Sequence, residues 1–213
     1  MKASYRHGIH VSNRELHVER LPVEGALPEW LRGTLLRNGP GSFEAGTQRY
    51  RHWFDGFAML HRFAFADGRV GYASRFLDTE VRRSAEAAGR ITYSEFATDP
   101  CRSLFKRVMS VFTPRVSDNA KVSLTRHARE FIALAETPLQ VRFDAETLES
   151  AGVFAYERAL VGQMTTAHPH ADAGDLWNLV IRFGALSAYH LDRVGPDMAS
   201  TTVGTVRVRR PSY

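Results

Sequence analysis

The stretch HWFDGFAMLHRFAFADGRVGYASRF, residues 52–76, decides the fold class. It contains two Asp-Gly pairs, at 55–56 and 67–68, and such pairs tolerate the positive φ that two-residue hairpin turns require. The segments 52–54, 57–65 and 70–76 surround these turns, and the last of them alternates in part between apolar and other residues, as a half-buried strand does. The stretch therefore predicts a meander of three antiparallel strands.

Further candidate strands follow the same rhythm along the chain. They are separated by turn-forming groups such as Asp144-Ala145-Glu146-Thr147 and Asp172-Ala173-Gly174. Apolar and β-branched segments predict strands at 131–135, 139–143, 148–156, 176–181, 187–194 and 203–208. Short strands with a turn roughly every ten residues are typical of an all-β sandwich, barrel or propeller.

Two segments depart from the strand pattern. Residues 80–90, EVRRSAEAAGR, are polar and rich in alanine and glutamate, which favours a short helix or an exposed loop. Residues 100–112, PCRSLFKRVMSVF, predict an amphipathic helix with cations on one side. Its apolar side comprises Leu104, Phe105, Val108, Met109, Val111 and Phe112. Such a helix fits either packing on its own domain or anchoring in a membrane interface.

Composition places the chain among folded globular proteins. Its 213 residues match one ordinary domain, with 44% hydrophobic and 24% charged residues. The net charge of +5 is spread along the chain rather than forming a stripe, so no nucleic-acid partner is expected.

The single cysteine, Cys101, excludes an internal disulfide, and the apolar runs are shorter than the ~20 residues of a membrane-spanning helix. Because residues 1–20 contain no apolar secretory region, the cytoplasm is the expected compartment.

Residues 165–172, TTAHPHAD, concentrate candidate metal ligands. In an extended strand His168 and His170 point to the same side, so they could share a cation, or one could bind while the other faces solvent. His-x-His pairs also occur in metal-dependent hydrolases on barrel folds, but those folds need alternating strands and helices, which this pattern lacks. Residues 38–42, NGPGS, could form a phosphate cradle, but no helix follows them, and a tight turn is the better interpretation.

Several longer strings resemble the carotenoid cleavage oxygenases, and most closely their β-carotene and retinoid branch. The strings are LPEWLRGTLLRNGPG at 27–41, HWFDG at 52–56, LH at 60–61, TDPC at 98–101, SDNA at 117–120, AET at 135–137, DAETL at 144–148 and TAHPH at 166–170. The resemblance implies a seven-bladed β-propeller with a non-haem Fe(II) ion on its axis, held by four histidines from different blades. It also implies oxidative cleavage of a conjugated double bond in a carotenoid or apocarotenoid by O2, which gives two carbonyl products.

The resemblance also assigns roles to individual residues. It makes His168 an iron ligand and His170 a neighbour that shapes the strand. It makes Glu136 a carboxylate that accepts a hydrogen bond from the ring N–H of a ligand histidine and so fixes its orientation. For the segment 100–112 it implies contact with a membrane surface beside the substrate tunnel, through Leu104, Phe105, Val108, Met109 and Phe112.

The length of the chain bears on what it can do alone. The resemblance implies proteins more than twice as long, with the other three iron ligands after residue 213, so residues 1–213 are expected to be the N-terminal part of a single propeller domain. One ligand does not hold iron, and unpaired blades leave open sheet edges, so the isolated chain is expected to be poorly soluble or oligomeric. The alternative function is a catalytically inactive propeller fragment that binds an apolar ligand or a partner.

Overall fold

A computed structural model describes residues 14–98, 116–154 and 164–209, and these form three antiparallel sheets in chain order. Sheet 1 runs from edge to edge through β1 (Leu16–Val18), β6 (Arg69–Phe76), β5 (Phe57–Ala66) and β2 (Gly33–Ser42). Sheet 2 runs through β10 (Ser150–Val153), β9 (Val141–Phe143), β8 (Glu130–Leu134) and β7 (Ser123–His127). Sheet 3 contains β13 (Asp175–Arg182), β14 (Ser187–Val194) and β15 (Ser200–Val208), with β11 (Met164–Thr165) and β12 (His170–Asp172) both along β13. A short ribbon pairs β3 (Glu44–Ala45) with β4 (Gln48–Arg49).

Apart from the segment 52–54, the predicted strands are found with small shifts at their ends, as far as the structure describes them. The turn at Asp67-Gly68 joins β5 to β6 as predicted, with φ values of 49° and 68° that fit a two-residue hairpin. The turn at Ala173-Gly174 joins β12 to β13 in the same way, with φ values of 50° and 91°. Strand β14 has the predicted bounds, 187–194, and β15 begins three residues before the predicted start.

The prediction of a strand at 52–54 followed by a hairpin turn at Asp55-Gly56 is wrong. Residues Trp53–Asp55 form a short 3₁₀ helix, and β5 pairs instead with β2 and β6. The reason is that the Asp55 side chain is fully buried and accepts hydrogen bonds from the Ala97 amide (3.2 Å) and the Thr98 hydroxyl (2.6 Å). Asp55 is therefore an anchor for a distant loop rather than a solvent-exposed turn residue.

The prediction of a tight turn at 38–42 is also wrong. These residues end β2, which pairs with β5 and is bulged between Pro40 and Ser42. A Cβ atom on Gly41 would lie 2.6 Å from the Met59 Cβ and 3.0 Å from a Phe76 ring carbon, so the glycine is needed because these two side chains pack directly against its backbone.

The sequence of residues 80–90 predicts either a short helix or an exposed loop, and the structure shows a helix, α1 (Glu80–Ala88). Thr79 caps it by accepting a hydrogen bond from the Arg82 amide at 3.2 Å, and Gly89 ends it with a φ of 59°. The Asp118 carboxylate accepts the amides of Glu80 (2.6 Å) and Val81 (3.1 Å), so the first turn of the helix is held by a residue outside it.

The core lies between successive sheets. Residues of sheet 1 and sheet 2 pack into one buried cluster, which contains Ala58, Leu60, Leu77, Ala120, Ala133, Val141, Phe143 and Leu148. On the next interface, Met198 between β14 and β15 packs against Ile132, Leu134 and Phe154. Meandering antiparallel sheets that stack face to face in chain order are the repeating unit of a β-propeller.

Candidate metal-ligand segment around His168

One edge of each sheet converges on a common region. The Asn38 Nδ2 atom in β2 donates hydrogen bonds to the carbonyl oxygens of Ala120 (2.8 Å) and Ser123 (3.2 Å), the latter at the start of β7. The Ser123 hydroxyl donates in turn to the carbonyl oxygen of Ala167, which lies between β11 and β12. These bonds link sheets 1, 2 and 3 directly beside His168.

His168 lies where the edge strand of sheet 3 is interrupted. Thr165 pairs with Val180 and His170 pairs with Trp177, so four residues, 166–169, face only two residues of β13. Pro169 has no amide hydrogen to give to the ladder, which favours such a break. The expectation that His168 and His170 lie on one extended strand is therefore wrong: His168 lies in a bend, His170 is in β12, and both side chains are exposed.

Three consecutive residues before His168 are hydrogen-bonded to three different parts of the chain: the loop after β8, strand β13 and strand β7. The Thr165 amide donates to the Glu136 carbonyl at 3.0 Å, and the Thr166 amide donates to the Leu179 carbonyl at 2.8 Å. The Ala167 carbonyl accepts from Ser123, as described above. The His168 amide then donates to the Thr166 hydroxyl at 3.1 Å. The backbone that carries the imidazole is thus fixed residue by residue.

Glu136 is half-buried and lies two residues after the end of β8. Its backbone and that of Thr137 hold Thr165, because the Thr165 hydroxyl donates to the Thr137 carbonyl at 3.1 Å. The structure therefore brings the Glu136 segment and the His168 segment together. Among the described residues the Glu136 carboxylate has no hydrogen-bond donor in contact with it.

The donor chemistry of this segment fits one contribution to a metal site. His168 offers an exposed imidazole, which suits Fe(II). Within residues 14–98, 116–154 and 164–209, however, no group of three or more His, Cys, Asp or Glu side chains is close enough to hold a metal ion. Any complete ligand set would need further ligands from outside this part of the chain.

Two other predictions concern the membrane. The segment with Leu104, Phe105, Val108, Met109 and Phe112, and Cys101 beside it, lies outside the described residues. Where the structure describes the chain, no helix has the length and apolar character needed to cross a membrane.

Sequence reasoning missed the polar residues that build this region. Asn38, Ser123 and Thr165 carry no metal-ligand chemistry, and their partners lie 28 to 85 residues away. Two of these positions could have been noticed from the sequence, because Asn38 lies within the string 27–41 and Thr165 directly precedes Thr166, the first residue of the string 166–170. Both strings carry the family resemblance.

Comparisons with known proteins agree with this architecture. A model of the family described as retinal pigment epithelial membrane protein matches residues 10–213. The mitochondrial carotenoid-cleaving dioxygenase of Pongo abelii is 39% identical over 186 residues, which is 82% of this chain and 33% of the relative. The β,β-carotene 15,15'-dioxygenase of Rattus norvegicus is 38% identical over 173 residues, which is 78% of this chain and 31% of the relative. The chain thus spans about a third of the length of these curated relatives.

Solved structures extend the comparison to the fold. A variant of Synechocystis apocarotenoid oxygenase superposes with a TM-score of 0.81 at 27% identity, covering 96% of this chain and 44% of that chain. The cobalt-substituted form of the same oxygenase gives a TM-score of 0.79 at 28% identity, covering 93% and 43%. The three sheets are accordingly blades of a seven-bladed β-propeller, as predicted. Since the family match extends over residues 10–213, the resemblance drawn from the sequence strings is confirmed, and the chain belongs to the carotenoid cleavage oxygenase family.

Proposed function

We propose that this chain is part of an enzyme that cleaves a conjugated double bond of a carotenoid or apocarotenoid, using non-haem Fe(II) and O2, with aldehyde or ketone products. The support is the kinship with carotenoid-cleaving dioxygenases together with the exposed His168 imidazole on a fixed backbone. Residues 1–213 then form one part of a single propeller domain, and the substrate and metal are shared with the remainder of that domain.

His168 is the residue through which this chain would bind the iron. A neutral imidazole is a suitable Fe(II) ligand, and the ion would supply the site that binds and activates O2. The single observation that carries the assignment is the location of His168 in the interrupted edge strand, beside the edges of the other two sheets. Its side chain can reach a shared centre there without breaking a strand ladder.

Glu136 has a supporting role in this proposal. Ligand histidines commonly donate their second ring N–H to a carboxylate, which fixes the tautomer and the orientation of the ring. Glu136 is half-buried next to the His168 segment and keeps its carboxylate available within the described part of the chain. It would orient a histidine contributed from outside the described residues.

The test uses the natural full-length protein with two matched variants, His168→Ala and His170→Ala. Both histidines are exposed and two residues apart, so a general surface effect would appear in both. Loss of an outer hydrogen-bond partner lowers metal affinity or activity by ~10–100-fold. We expect His168→Ala, which removes a ligand itself, to lower both the iron content and the rate of polyene cleavage by more than this factor. His170→Ala should keep both. Iron content by elemental analysis and product formation by chromatography are the measurements, and unchanged iron in His168→Ala would refute the ligand assignment.

Peripheral membrane association is a second part of the proposal, with the protein in the cytoplasm and docked on a membrane surface. The helical pattern of the sequence predicts that Leu104, Phe105, Val108, Met109 and Phe112 share an apolar side next to cations, which is the composition of interfacial anchors. Co-sedimentation with vesicles of phosphatidylcholine and phosphatidylglycerol measures it. Replacement of Phe105 and Phe112 by serine should abolish binding, whereas Phe183→Ser, at an exposed phenylalanine directly after β13, should not. Equal binding of both variants would contradict the anchor.

An inactive binding fragment is the other candidate, and exposed apolar residues on sheet 3 favour it. Leu191, Val203 and Val206 are all more than two fifths exposed. In that case the natural protein would bind an apocarotenoid saturably but contain no iron and release no cleavage product. The iron and product measurements above decide between the two functions.

A further inference from the structure

We propose that Ser123 is a positioning residue that fixes the direction of the His168 imidazole. The inference rests on the proposed function of His168 as a metal ligand. The peptide unit between Ala167 and His168 is hydrogen-bonded at both ends: its carbonyl oxygen accepts from the Ser123 hydroxyl, and its N–H donates to the Thr166 hydroxyl at 3.1 Å. Because a peptide unit is planar, two such bonds fix the plane from which the His168 Cα departs.

Ser123 can hold the Ala167 carbonyl in a fixed position because its own backbone is hydrogen-bonded on two sides. It pairs with Leu134 in sheet 2, and its carbonyl oxygen accepts a hydrogen bond from the Asn38 Nδ2 atom of sheet 1 at 3.2 Å. The same Asn38 nitrogen also donates to the Ala120 carbonyl at 2.8 Å. The hydroxyl that reaches Ala167 therefore belongs to a residue that two sheets hold in place.

The Ser123 hydrogen bond lies directly beside the candidate ligand. Within the described residues it is a side-chain hydrogen bond from another sheet to the residue directly before the candidate ligand. Ala167 is 1% exposed, so loss of the Ser123 hydroxyl would leave its carbonyl oxygen without a donor among the described residues and with little access to water. The peptide unit would then be free to tilt, and the imidazole would tilt with it.

A purely structural role would be to join sheets 2 and 3. Those sheets already have a separate side-chain link, because the His127 Nε2 atom is 2.9 Å from the Gly195 carbonyl oxygen and His127 is buried. Ser123 is consequently not required simply to hold the sheets together. Loss of the Ser123 hydroxyl should therefore affect mainly the His168 segment, and through it the affinity for the metal.

The experiment compares Ser123→Ala, Ser123→Thr, His168→Ala and Ser150→Ala in the natural full-length protein. Ser123→Thr keeps the hydroxyl. Ser150→Ala is the matched control, because the Ser150 hydroxyl also bonds to a backbone group of another segment, the Asp78 amide at 2.9 Å, and β10 lies at the opposite edge of sheet 2 from β7, which carries Ser123. The measurements are the Co²⁺ dissociation constant, the hydrogen exchange rate of the His168 amide and the urea midpoint of unfolding. Co²⁺ is a suitable probe because a cobalt-substituted relative has been solved.

We expect Ser123→Ala to weaken Co²⁺ binding by about 10–100-fold, as loss of outer-shell partners does, and to speed exchange of the His168 amide by at least about tenfold. Ser123→Thr should restore both to near the parent, and Ser150→Ala should match the parent in both. Parental Co²⁺ affinity in Ser123→Ala, while His168→Ala loses binding, would overturn the positioning role and leave the proposed function intact. Parental affinity in His168→Ala would refute the proposed function itself, and with it the inference.

Two further outcomes are decisive. A loss of affinity that Ser123→Thr does not restore would assign the effect to general packing and overturn the inference. If Ser123→Ala fails to fold, Thr166→Val tests the same peptide unit from its other end, since it removes the acceptor of the His168 amide. Weaker Co²⁺ binding with an unchanged urea midpoint in Thr166→Val supports positioning through this peptide unit, and unchanged binding contradicts it.

Discussion

The carbonyl oxygen of Glu136 accepts a hydrogen bond of 3.0 Å from the amide of Thr165, which lies three residues before His168. A loop of sheet 2 and the edge strand of sheet 3 are joined at this bond. The Thr165 side chain, 1% exposed, adds a second bond from its hydroxyl to the Thr137 carbonyl at 3.1 Å. The segments that carry Glu136 and His168 are thus joined at Thr165 by one backbone and one side-chain hydrogen bond.

Replacement of Thr165 by valine should destabilise the protein. Valine has nearly the same shape but no hydroxyl, so the Thr137 carbonyl loses its donor at a cost of about 1–3 kcal/mol. Thr165→Ser should recover most of that free energy. Urea denaturation measures the difference, and Thr201→Val, at an exposed position of β15, is the control with an expected change within about 0.5 kcal/mol. Equal stability of Thr165→Val and the parent would mean that this contact contributes nothing.

Replacement of Asp55 by asparagine tests whether the buried Asp55 carboxylate anchors the loop at residues 97–98. The Asp55 carboxylate is an acceptor for both the Ala97 amide and the Thr98 hydroxyl, and an amide group would direct a donor at one of them. We expect a loss of about 1–3 kcal/mol in the free energy of unfolding.

The control for this anchor is Asp67→Asn. Asp67 also precedes a glycine, but its ion pair with Arg32 is exposed and contributes little, and asparagine tolerates its φ of 49°. A change of similar size in both variants, measured by chemical denaturation, would contradict the anchoring role of Asp55.

These two aspartates show how far the sequence could predict the fold. Both Asp-Gly pairs carry the same local signal, and at Asp67-Gly68 local turn chemistry decides the structure. At Asp55-Gly56 the deciding contact is with Thr98, 43 residues away, and no local pattern contains it. Gly41 was misassigned for a similar reason, since the close approach to Met59 exists only after β2 and β5 have paired.

In the candidate site, too, some residues could be predicted from the sequence and others could not. His168 could be identified because it belongs to a string with a family resemblance, but its location in a bend depends on the pairing of β11 and β12 with β13. Ser123 could not be identified, because serine has no distinctive chemistry and its partner Ala167 is 44 residues away. The SDNA string at 117–120 proved to be structural: Asn119 accepts from the Ala58 amide (2.9 Å) and donates to the Gly56 carbonyl (3.0 Å).

A buried ion pair predicts how stability depends on pH. Glu95 contacts the Lys121 ammonium and accepts from the Ser117 hydroxyl at 2.7 Å, yet burial is the dominant influence and raises the pKa of the Glu95 carboxyl above 4.5. In the folded state Glu95 therefore retains its proton at pH values where the unfolded chain has released it. Its contribution to stability is present below the unfolded pKa and decreases as the pH rises through the folded pKa.

The comparison of parent with Glu95→Gln isolates this effect. The free energy of unfolding, measured in urea from pH 4 upward, should fall with pH in the parent relative to the variant across the window that begins at the ordinary glutamate pKa. Glu146→Gln, in which the replaced carboxylate is largely exposed and paired with Arg62, should show no such difference from the parent. A relative stability of Glu95→Gln that is independent of pH through this window would contradict the raised pKa.

Strand β15 should make the isolated chain of 213 residues self-associate. Within the described residues it pairs only with β14, which leaves a nine-residue edge of unpaired amides and carbonyls, and its Val203 and Val206 are 56% and 63% exposed. Such an edge is a template for pairing with another chain, and a charge on it opposes that pairing. Sedimentation velocity of the isolated chain should therefore show oligomers that increase with concentration, and Val206→Lys should shift them toward the monomer. Val23→Lys, at an exposed valine outside the strands, should not. A monodisperse parent monomer that melts cooperatively without iron would show that sheet 3 is stable with this edge open.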